Sequence, residues 1–521
     1  MDEFIFRSEE LSDEQIKSFY VETSNDVEIL NQLKSQSPVV LVGSRGVGKS
    51  FLFHLSQIKL FENFESEKIF PVMVTFRQSS LVQTGNQIRF QSWMLSKIYL
   101  KIIRELQRYG YVVDNIEKFD KLSEICNQYQ ESWKSPDVTI DDSIIPSIDE
   151  FLEIVEDLCF EFELKRFVVY IDEAAHIFIP EQQRQFFTLF RDLRSAYIKC
   201  NASVYPGVTH YGNSFEPMHD AVFINLNRNI LDKEYVAQMK EMVINQISST
   251  DMLDQINRNG ENFSLLAFAS SGNPRFLLKN VKVALKNKFN KTSINSVIRE
   301  FYREEIWSEH SSLAVKYPGN RIYIDWGRDF IEKTVLPEIK SKNDKFNDKS
   351  AYFWIHRDSP QGIKESLRLL EYTGIIKEHS AGRRATRGEI GTRYEVNIGC
   401  LLSLEKISTD SGLHTIKNLV LNRMSEFGAN HSVYDKLVTQ IPSFSEPDMS
   451  LFIQNQLNQS VNILDLTDWQ FEKLNELNII TIGDLLYATE EDLMKARYIG
   501  EKKSRRMKNA AFAAVYEYLS G

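Results

Sequence analysis

A glycine-rich segment near the start of the protein carries the residue types and the spacing that phosphate binding needs. The segment GSRGVGKS, from Gly43 to Ser50, fits the pattern G-x-x-x-x-G-K-[ST]. Glycines let backbone N–H groups curl around a phosphate, Lys49 would reach the β and γ phosphates of a nucleotide, and Ser50 is placed for Mg²⁺. A tight turn with an accidental lysine is the alternative. The predicted nucleotide-binding residues are Gly43, Ser44, Arg45, Gly46, Val47, Gly48, Lys49, Ser50 and Phe51.

The segments on either side of this loop favour phosphate binding over a simple turn. SPVVLVG, before it, is a β-branched run of strand length, and KSFLFHLSQIKLF, after it, has helix length and apolar spacing. A strand, a glycine-rich loop and a helix in this order bring the positive end of the helix dipole to the phosphate. The sequence therefore predicts ATP and Mg²⁺ as cofactors.

Two acids follow a second predicted strand. In KRFVVYIDEAAHIF, residues 167–171 are apolar throughout, as in a strand buried on both faces of a parallel sheet, and Asp172 and Glu173 come at its end. Ligands of such sheets bind beyond the carboxyl ends of the strands. We predict that Asp172, together with Ser50, holds Mg²⁺ and that Glu173 polarises the attacking water. An Asp-Glu pair that opens a loop or caps a helix is the alternative.

Length, charge and cysteine content limit the class of protein. There are 521 residues with a net charge of −10, so contact with nucleic acid must come from local basic patches. The four cysteines form no C-x-x-C pair, and such scattered thiols suit a reducing cytosol. The acidic start MDEFIFRSEE lacks the apolar core of a signal peptide, and no apolar run has the length of a membrane span. We therefore expect a cytoplasmic protein without a membrane partner.

The order of the segments after the two acids resembles that of a known family. The helix-like PEQQRQFFTLFRDLRSAYI, the strand-like CNASVYPGVTHYG and DAVFINLNRN, and GNPR at the start of a further helix follow one another. With the loop and the strand that ends in Asp-Glu, they resemble an AAA+ ATPase of the origin-recognition-complex type and the related STAND signalling ATPases. The sequence around VYPGVTHYG is similar to that of bacterial ATPases from phage-defence loci.

The resemblance implies roles for four residues outside the loop. Thr209, the polar residue after the fourth strand, is implied as sensor 1, and Arg275 in GNPR is implied as sensor 2. Arg191 or Arg194 is implied as an arginine finger offered to a neighbouring subunit, so the resemblance also implies a homo-oligomer. Solvated surface arginines are the alternative for the last two.

The same resemblance and the segment pattern predict the domain organisation. The predicted fold is an α/β P-loop NTPase with an AAA+-like parallel sheet, a helical lid, a winged helix and a small all-α helix-hairpin-helix domain. Lys49 and Asp172 lie further apart than in the simple AAA+ pattern, which indicates an inserted helical arm of unknown partner at about 85–145. The predicted boundaries are 1–230 for the core, 231–295 for the lid, 296–405 for the winged helix, 406–462 for a helical or linker region, and 463–521 for the helix-hairpin-helix domain.

A basic hairpin predicts contact with DNA. Residues 363–372 have helix spacing, IIKEH and RYEVNI are short strands, and the glycine-rich SAGRRATRGEIGT lies between them, a pattern similar to a winged helix. Basic wings suit phosphate contact, because each neutralised phosphate releases counterions. A solvated hairpin is the alternative. The predicted DNA-contacting residues of the wing are Arg383, Arg384, Arg387 and Arg393.

The last part of the sequence resembles the helix-hairpin-helix unit in the C-terminal domain of the RNA polymerase α subunit. The segments IGDLL, TEEDLMK and IGEKK carry the resemblance. Thr467, Thr481 and Thr489 are spaced as capping boxes at helix starts. That family contacts DNA in or near the minor groove. A protein-docking domain whose basic helix faces water is the alternative. The implied DNA-contacting residues are Lys502, Lys503, Arg505, Arg506 and Lys508.

These features predict an ATPase that acts as a DNA-associated switch. Its nucleotide state would control double-stranded DNA binding and oligomerisation, hydrolysis would be slow and regulated, and the protein would serve as the ATPase or sensor component of an anti-phage defence system. One alternative is a STAND-like scaffold that recruits a separate effector protein. A weaker alternative is a loader of a helicase or transposase. The effect of duplex DNA on ATP turnover separates the switch from the scaffold.

Overall fold

The computed structural model of the protein divides into two compact units. Unit 1 comprises Met1–Phe263 and Gly272–Lys286, and unit 2 comprises Ser264–Ser271 and Asn287–Gly521. The finer domain boundaries predicted from the sequence stay predictions. The residues that the structure describes are 4–76, 87–113, 116–131, 143–172, 174, 180–212, 214–316, 320–386, 388–435, 457–464 and 466–520.

A parallel sheet forms the centre of unit 1. Its strands within the described residues are β1 (Val39–Val42), β2 (Ile69–Val74), β3 (Arg166–Ile171), β4 (Ile198–Val204) and β5 (Val222–Asn225). They pair in the order β2-β3-β4-β1-β5, and every pairing is parallel. All residues of β3 and β4 are buried, so helices cover both faces of the sheet, as the apolar sequence of β3 predicted.

Helices of unit 1 surround this sheet. The helix α3 begins directly after the glycine-rich loop and packs on β2, α1 and α2. The helices α10, α11 and α13 belong to the segment predicted as a lid. The described helices are α1 (Asp13–Phe19), α2 (Ser24–Lys34), α3 (Lys49–Glu62), α4 (Phe64–Glu67), α5 (Gln87–Arg108), α6 (Ile116–Glu131), α7 (Ile148–Glu161), α8 (Pro180–Asp192), α9 (Pro217–Asp220), α10 (Tyr235–Ile244), α11 (Thr250–Arg258), α12 (Gly260–Ala269), which is divided between the units, and α13 (Pro274–Lys286).

The inserted helices α5 and α6 are part of unit 1 and do not form a separate arm. Phe90 and Trp93 of α5 are fully buried, and the ring of Trp93 lies 5.5 Å from that of Phe76, just beyond β2. Tyr99 of α5 contacts Phe151 of α7 with ring centroids 5.6 Å apart. The apolar face of α5 therefore covers the β2 edge of the sheet, which corrects the prediction of an arm of unknown partner.

Unit 2 contains a mixed sheet and a helical C-terminal part. The strands of its described residues pair in the order β7-β8-β6-β9, with a β7–β8 hairpin and with α18 between β6 and β7, as predicted for the winged helix. The elements are β6 (Tyr352–His356), β7 (Ile376–Arg384), β8 (Ile390–Val396), β9 (Ser425–Phe427), α14 (Lys291–Arg299), α15 (Ile306–Lys316), α16 (Arg321–Phe330), α17 (Leu336–Lys345), α18 (Gln361–Thr373), α19 (Ile398–Leu402), α20 (Ser408–Lys417), α21 (Asp468–Glu476), α22 (Ile482–Tyr487), α23 (Glu490–Met494) and α24 (Glu501–Ser520).

Three capping boxes begin the short helices at the C-terminal end. Thr467, Thr481 and Thr489 each accept a hydrogen bond from the third residue of the following helix, whose side chain in turn accepts from the threonine N–H. This confirms the helix starts predicted from the sequence. A separate apolar core, which includes Leu474 and Leu493, holds these helices together.

The helices in the described part of the protein were compared with the thickness of a bilayer. None is both long and apolar enough to cross one.

Candidate functional site

The glycine-rich loop lies between β1 and α3, at the carboxyl edge of the parallel sheet. Gly46 and Gly48 have φ angles of 89° and 106°, which residues with a Cβ atom rarely adopt. A Cβ atom at Gly46 would also lie 2.8 Å from Cβ of Arg275, so the loop needs glycine where it meets the start of α13. Gly48 precedes α3 and has no side chain to cap it, which leaves the first N–H groups of that helix for an anion.

Lys49 is the first residue of α3 and is buried at the loop. Its ammonium donates hydrogen bonds to the carbonyl oxygens of Gly43, at 2.6 Å, and Ser44, at 3.2 Å. The same ammonium lies 4.0 Å from the ring centroid of Tyr205, the residue after β4. Two carbonyl oxygens and an aromatic face thus hold the Lys49 ammonium beside the loop.

The acidic side of the site lies at the ends of β3 and β4. Asp172 directly follows β3 and is 9% exposed. Ser203, a buried residue of β4, donates a hydrogen bond from its hydroxyl to Oδ1 of Asp172 at 2.5 Å. Because β3, β4 and β1 are parallel neighbours, Asp172 lies at the same edge of the sheet as the loop. Glu173 lies outside the described residues, and its role stays a prediction.

Thr209, the residue implied as sensor 1, lies in the turn that follows β4. It lies beyond the end of β4, and its hydroxyl donates to the carbonyl oxygen of Tyr205 at 2.7 Å, so it stabilises the turn after the strand. The polar residue of β4 that contacts the acid is Ser203. The sensor role of Thr209 stays a prediction, and Ser203 is a second candidate for it.

A cavity of about 150 Å³ lies beside the loop. Gly46, Gly48, Lys49, Ser50 and Phe51, all predicted as nucleotide-binding residues, line one side of it. The other side comes from the N-terminal residues together with residues from α1, α10 and α13, and it is largely apolar. Its apolar residues are Ile5, Phe6, Leu11, Phe19, Tyr20, Val21, Met242, Pro274 and Leu278.

Arg275, predicted as sensor 2, lines this cavity at the start of α13. Its Nε donates to the carbonyl oxygen of Phe6 at 3.2 Å, and its backbone N–H donates to that of Gly46 at 3.4 Å. Burial lowers the pKa of Arg275, and the charge of nearby Arg45 lowers it further. A cation in such a partly desolvated place gains from an anionic ligand beside it.

Arg228 is a second arginine of the cavity wall, and the sequence did not predict it. Its Nη1 donates to the carbonyl oxygens of Val47, at 2.9 Å, and Gly272, at 3.3 Å. Burial lowers the pKa of Arg228, whereas the carboxylate of Asp26, also in the wall, raises it. The guanidinium is therefore hydrogen-bonded to both the glycine-rich loop and the first residue of GNPR, Gly272.

The two candidate arginine fingers differ in their surroundings. Arg191 is bound within unit 1, because its guanidinium donates to Oδ1 of Asp192, at 2.7 Å, and to the carbonyl oxygen of Ser214, at 2.5 Å. Arg194 is exposed just beyond α8. Of the two, Arg194 is the better candidate for a contact with another subunit, and this role stays a prediction.

The predicted wing residues do not all lie on the surface. Arg383 and Arg384 are exposed at the end of β7, and Arg387 lies outside the described residues. Arg393 is only 5% exposed on β8, and its contact with DNA stays a prediction. Its Nη1 donates to the carbonyl oxygen of Leu421 at 3.0 Å. Side chains alternate across a strand, and Arg393 falls on the face that packs inward.

Lys508 and Arg505, two predicted DNA-contacting residues of α24, are partly buried. The ammonium of Lys508 donates to the carbonyl oxygens at the end of α22, with distances of 2.6 Å to both Leu486 and Ala488. The guanidinium of Arg505 is partly buried and lies 3.4 Å from the carboxylate of Glu490. Both side chains therefore make contacts within unit 2, and their contact with DNA stays a prediction.

The other predicted residues of α24 lie at its exposed start. Lys502 and Arg506 are exposed. Lys503 is exposed too, with its ammonium 4.1 Å from the ring centroid of Trp469 and 3.1 Å from the carbonyl oxygen of Tyr498. These three cations form a basic surface beside the hairpin, and we call it the α24 basic surface.

The strand order and the position of the loop together decide the fold of unit 1. The loop follows the central strand β1, which pairs with β4 on one side and β5 on the other, and the acid follows β3. This is the strand order of AAA+ ATPases. Unit 1 has the AAA+ P-loop fold.

Solved structures similar to this protein include ATPases and a protein bound to DNA. A Walker-type ATPase of Pyrococcus abyssi is 13% identical, with a TM-score of 0.41, over 77% of the present sequence and 99% of that ATPase. The Orc1 protein of Aeropyrum pernix in complex with DNA is 12% identical, with a TM-score of 0.31, over 75% and 91%. Domain III of the replication initiation protein DnaA of Thermotoga maritima is 13% identical, with a TM-score of 0.28, over 55% and 95%.

The C-terminal part matches a family model. Residues 450–509 match the model for the C-terminal domain of the alpha chain of bacterial RNA polymerase. This confirms the resemblance predicted for the helix-hairpin-helix unit, and it extends to that part of the protein alone. No curated protein matches the sequence.

The sequence pattern did not predict several residues of the AAA+ unit's site. Ser203 and Tyr205 lie in or directly after β4, where a strand pattern indicates burial but not which polar side chain faces the acid. Arg228 follows β5 without a motif. The N-terminal wall of the cavity is indicated in the sequence only by the apolar FIF, residues 4–6, within an otherwise acidic start.

Substitution of Ser203 by alanine tests its link to the acid. We expect ATP turnover by the AAA+ unit to fall about 10-fold or more, because a hydrogen bond to a charged group contributes about 1.5–3 kcal/mol. We also expect the Mg²⁺ concentration for half-maximal turnover to rise, because the Asp172 carboxylate loses its positioning partner.

The matched control is Ser56→Ala, since Ser56 is another buried serine whose hydroxyl bonds a core residue, Tyr170, at 2.6 Å. An unchanged Mg²⁺ dependence in Ser203→Ala would show that this hydroxyl does not position the acid.

Proposed function

We propose that this protein is an ATP-hydrolysing switch that binds double-stranded DNA. The observation that carries the proposal is the carboxyl edge of the AAA+ sheet, which bears both Lys49 in its loop, beside a partly apolar cavity, and Asp172 with Ser203. The apolar wall suits a nucleotide base, and the loop suits its phosphates. ATP is the substrate that this arrangement fits best.

The donor set at this edge fits Mg²⁺. The hydroxyl of Ser50 and the carboxylate of Asp172 are hard oxygen ligands, and the few protein ligands leave room for water and phosphate oxygens, as this ion requires. Ser50 and Asp172 would hold the ion, and it would supply positive charge beside the phosphates of the nucleotide. Ser203 holds Asp172 in place, and Glu173 is proposed to orient the attacking water.

The cations around the cavity are proposed to bind the phosphates of the nucleotide and to respond to loss of the γ phosphate. Lys49 supplies a point charge to the β and γ phosphates, and Arg275 would contact them from α13. Arg275 is hydrogen-bonded to both the loop and the N-terminal segment. Loss of the γ phosphate would therefore change contacts on each side of the cavity. We propose that this change sets the nucleotide-dependent conformation of the switch.

DNA would be bound by the exposed cations of unit 2. Arg383 and Arg384 lie at the wing, and the α24 basic surface lies beside the helix-hairpin-helix turn. A protein with a net charge of −10 repels DNA elsewhere, so binding concentrates at these places. Backbone contacts of this kind predict binding with little dependence on base sequence.

Steady-state ATP turnover with and without a DNA duplex, over a series of salt concentrations, tests the proposal. We expect DNA to stimulate turnover and the stimulation to fade steeply with salt, since each phosphate contact contributes about −0.9 to the slope of log K against log salt. Turnover that is present but insensitive to DNA would reject the switch and favour the scaffold.

The scaffold that recruits an effector protein is the second candidate, because the α24 basic surface could equally dock protein. Charge reversal at Lys502 and Lys503 separates the two. If the α24 basic surface binds DNA, the double substitution to glutamate weakens duplex binding about 10-fold or more at moderate salt. The control is Lys406→Glu, an exposed lysine of the same unit. Unchanged affinity in the double variant assigns this surface to a protein partner.

Two further parts of the proposal concern assembly and biological role. We propose a homo-oligomer in which Arg194 completes the site of a neighbouring subunit, as in the arginine fingers of other NTPases. The role as the sensor of an anti-phage defence system and the role as a loader stay predictions from resemblance.

A further inference from the structure

A cleft at the root of the wing lies between β7, β8, β9 and the end of α17 in unit 2. Its volume is about 460 Å³, within the range of small-ligand sites. The wing turn is fixed beside it, because the hydroxyl and N–H of Thr386 both donate to Oε1 of Glu426, at 2.6 Å and 2.9 Å. We call this the wing-root cleft.

Positive charge dominates the wing-root cleft. Five cations line it against two carboxylates, Asp348 and Glu426. Glu426 is engaged by Thr386, and Lys342 is paired with Glu338 at 2.8 Å. The remaining cations are all guanidinium groups, whose forked donors match phosphate oxygens. The five cations are Lys342, Arg383, Arg384, Arg393 and Arg423.

Arg393 is a buried cation in the wall of this cleft. It is 5% exposed, and its guanidinium contacts the carbonyl oxygen of Leu421, at 3.0 Å, and the Nδ1 atom of His379, at 3.1 Å. It also lies 5.6 Å from the ring centroid of Tyr352. Its Nε is buried and has no hydrogen-bond partner among the described residues, and no carboxylate there pairs with it. A buried charge of this kind is costly unless something compensates for it, which an anion in the cleft would do.

Arg423 also lines the wing-root cleft, and two contacts position its guanidinium. Its guanidinium lies 4.0 Å from the ring centroid of Phe346, and its Nε lies 3.9 Å from Oδ2 of Asp348. Stacking on an aromatic face fixes the plane of the group and leaves its outer N–H donors free to turn to a ligand. Arg383 and Arg384 complete the rim from the end of β7.

We propose that the wing-root cleft binds a phosphate group through Arg393, Arg423 and Arg384. The phosphate comes either from the backbone of a DNA duplex or from a free phosphorylated small molecule. The DNA source deepens the proposed function and rests on it, whereas the free ligand is independent of it. Both sources present the same tetrahedral oxygens to the same guanidinium groups.

The test compares the double variant Arg384→Gln/Arg423→Gln with the control Arg321→Gln. Arg321 is an exposed arginine of the same unit, 75% exposed and paired only with Asp325 at 3.8 Å among the residues that the structure describes. Arg393 is left intact because its bond to Leu421 supports the sheet. The probes are a fluorescent mixed-sequence DNA duplex over a series of KCl concentrations, and inorganic pyrophosphate by calorimetric titration.

A DNA source predicts that the double variant reduces the salt slope of duplex binding by about 0.9, the contribution of the one phosphate contact that is lost. A free-ligand source predicts an unchanged slope and one pyrophosphate site fewer than in the wild type. That count holds whether or not the AAA+ site also takes pyrophosphate, since the loop is untouched.

The proposal is overturned if the double variant matches Arg321→Gln in both the salt slope and the number of pyrophosphate sites. A wild-type protein that binds no duplex would contradict the DNA part of the proposed function instead. In that case the pyrophosphate titration still decides on the wing-root cleft.

Discussion

Replacement of Lys49 by alanine is expected to reduce ATP turnover by about 100- to 1,000-fold, the loss seen when a charged or polar group that stabilises the transition state is removed. Lys49 is buried, lies at the start of α3, and is bonded to Gly43 and Ser44 of the loop. Removal of its charge takes away the attraction for the β and γ phosphates. Steady-state phosphate release and equilibrium binding of a fluorescent ATP analogue would measure both losses.

A lysine of the same unit that lies away from the cavity provides the control. Lys165, just before β3, is exposed, and Lys165→Ala is expected to turn over ATP at the wild-type rate. A thermal melt of Lys49→Ala that resembles the wild type in the absence of nucleotide would show that the fold survives. Wild-type turnover by Lys49→Ala would remove the loop from the active site.

Asp172→Asn is expected to produce a loss of similar size, about 100- to 1,000-fold in turnover. The amide keeps the size of the side chain, and its oxygen can still accept the hydrogen bond from Ser203. What it lacks is the negative charge that a hard cation requires. Turnover measured against Mg²⁺ concentration should therefore shift to much higher concentrations and reach a lower plateau.

Glu173→Gln complements Asp172→Asn, because it leaves the Asp172 carboxylate in place. We expect this variant to bind ATP with near-wild-type affinity and to stall before hydrolysis, as expected when a water-orienting acid is neutralised. Rapid hydrolysis by Glu173→Gln would assign the orientation of water to another residue. An Asp172→Asn variant with an unaltered Mg²⁺ profile would take the metal role away from Asp172.

Local sequence patterns were sufficient for the scaffold of the site. The loop GSRGVGKS, the strand that ends at Asp172 and the capping boxes at Thr467, Thr481 and Thr489 depend on residues a few positions apart, and each is present. Such features are encoded by backbone preference and by the spacing of apolar residues. They fix where the helices and strands begin and end.

Contacts between distant segments could not be predicted in this way. Ser203 meets Asp172 only because β3 and β4 pair in parallel, and Arg228 reaches Val47 across a long stretch of sequence. The same limit explains the positions of Arg393 and Lys508. A basic residue in a basic segment suggests solvent or DNA, yet the register of β8 and the end of α22 direct these two side chains inward.

The wall of the nucleotide cavity joins the two ends of the AAA+ unit, since Phe6 and Arg275 are bonded across it. A ligand that fills the cavity would therefore couple the docking of the N-terminal segment to the position of α13. By mass action, ATP at 100 times its dissociation constant would add about 2.7 kcal/mol to the free energy of unfolding. The melting temperature of this unit would then vary with nucleotide supply, and its N-terminal segment would resist proteolysis best when ATP is abundant.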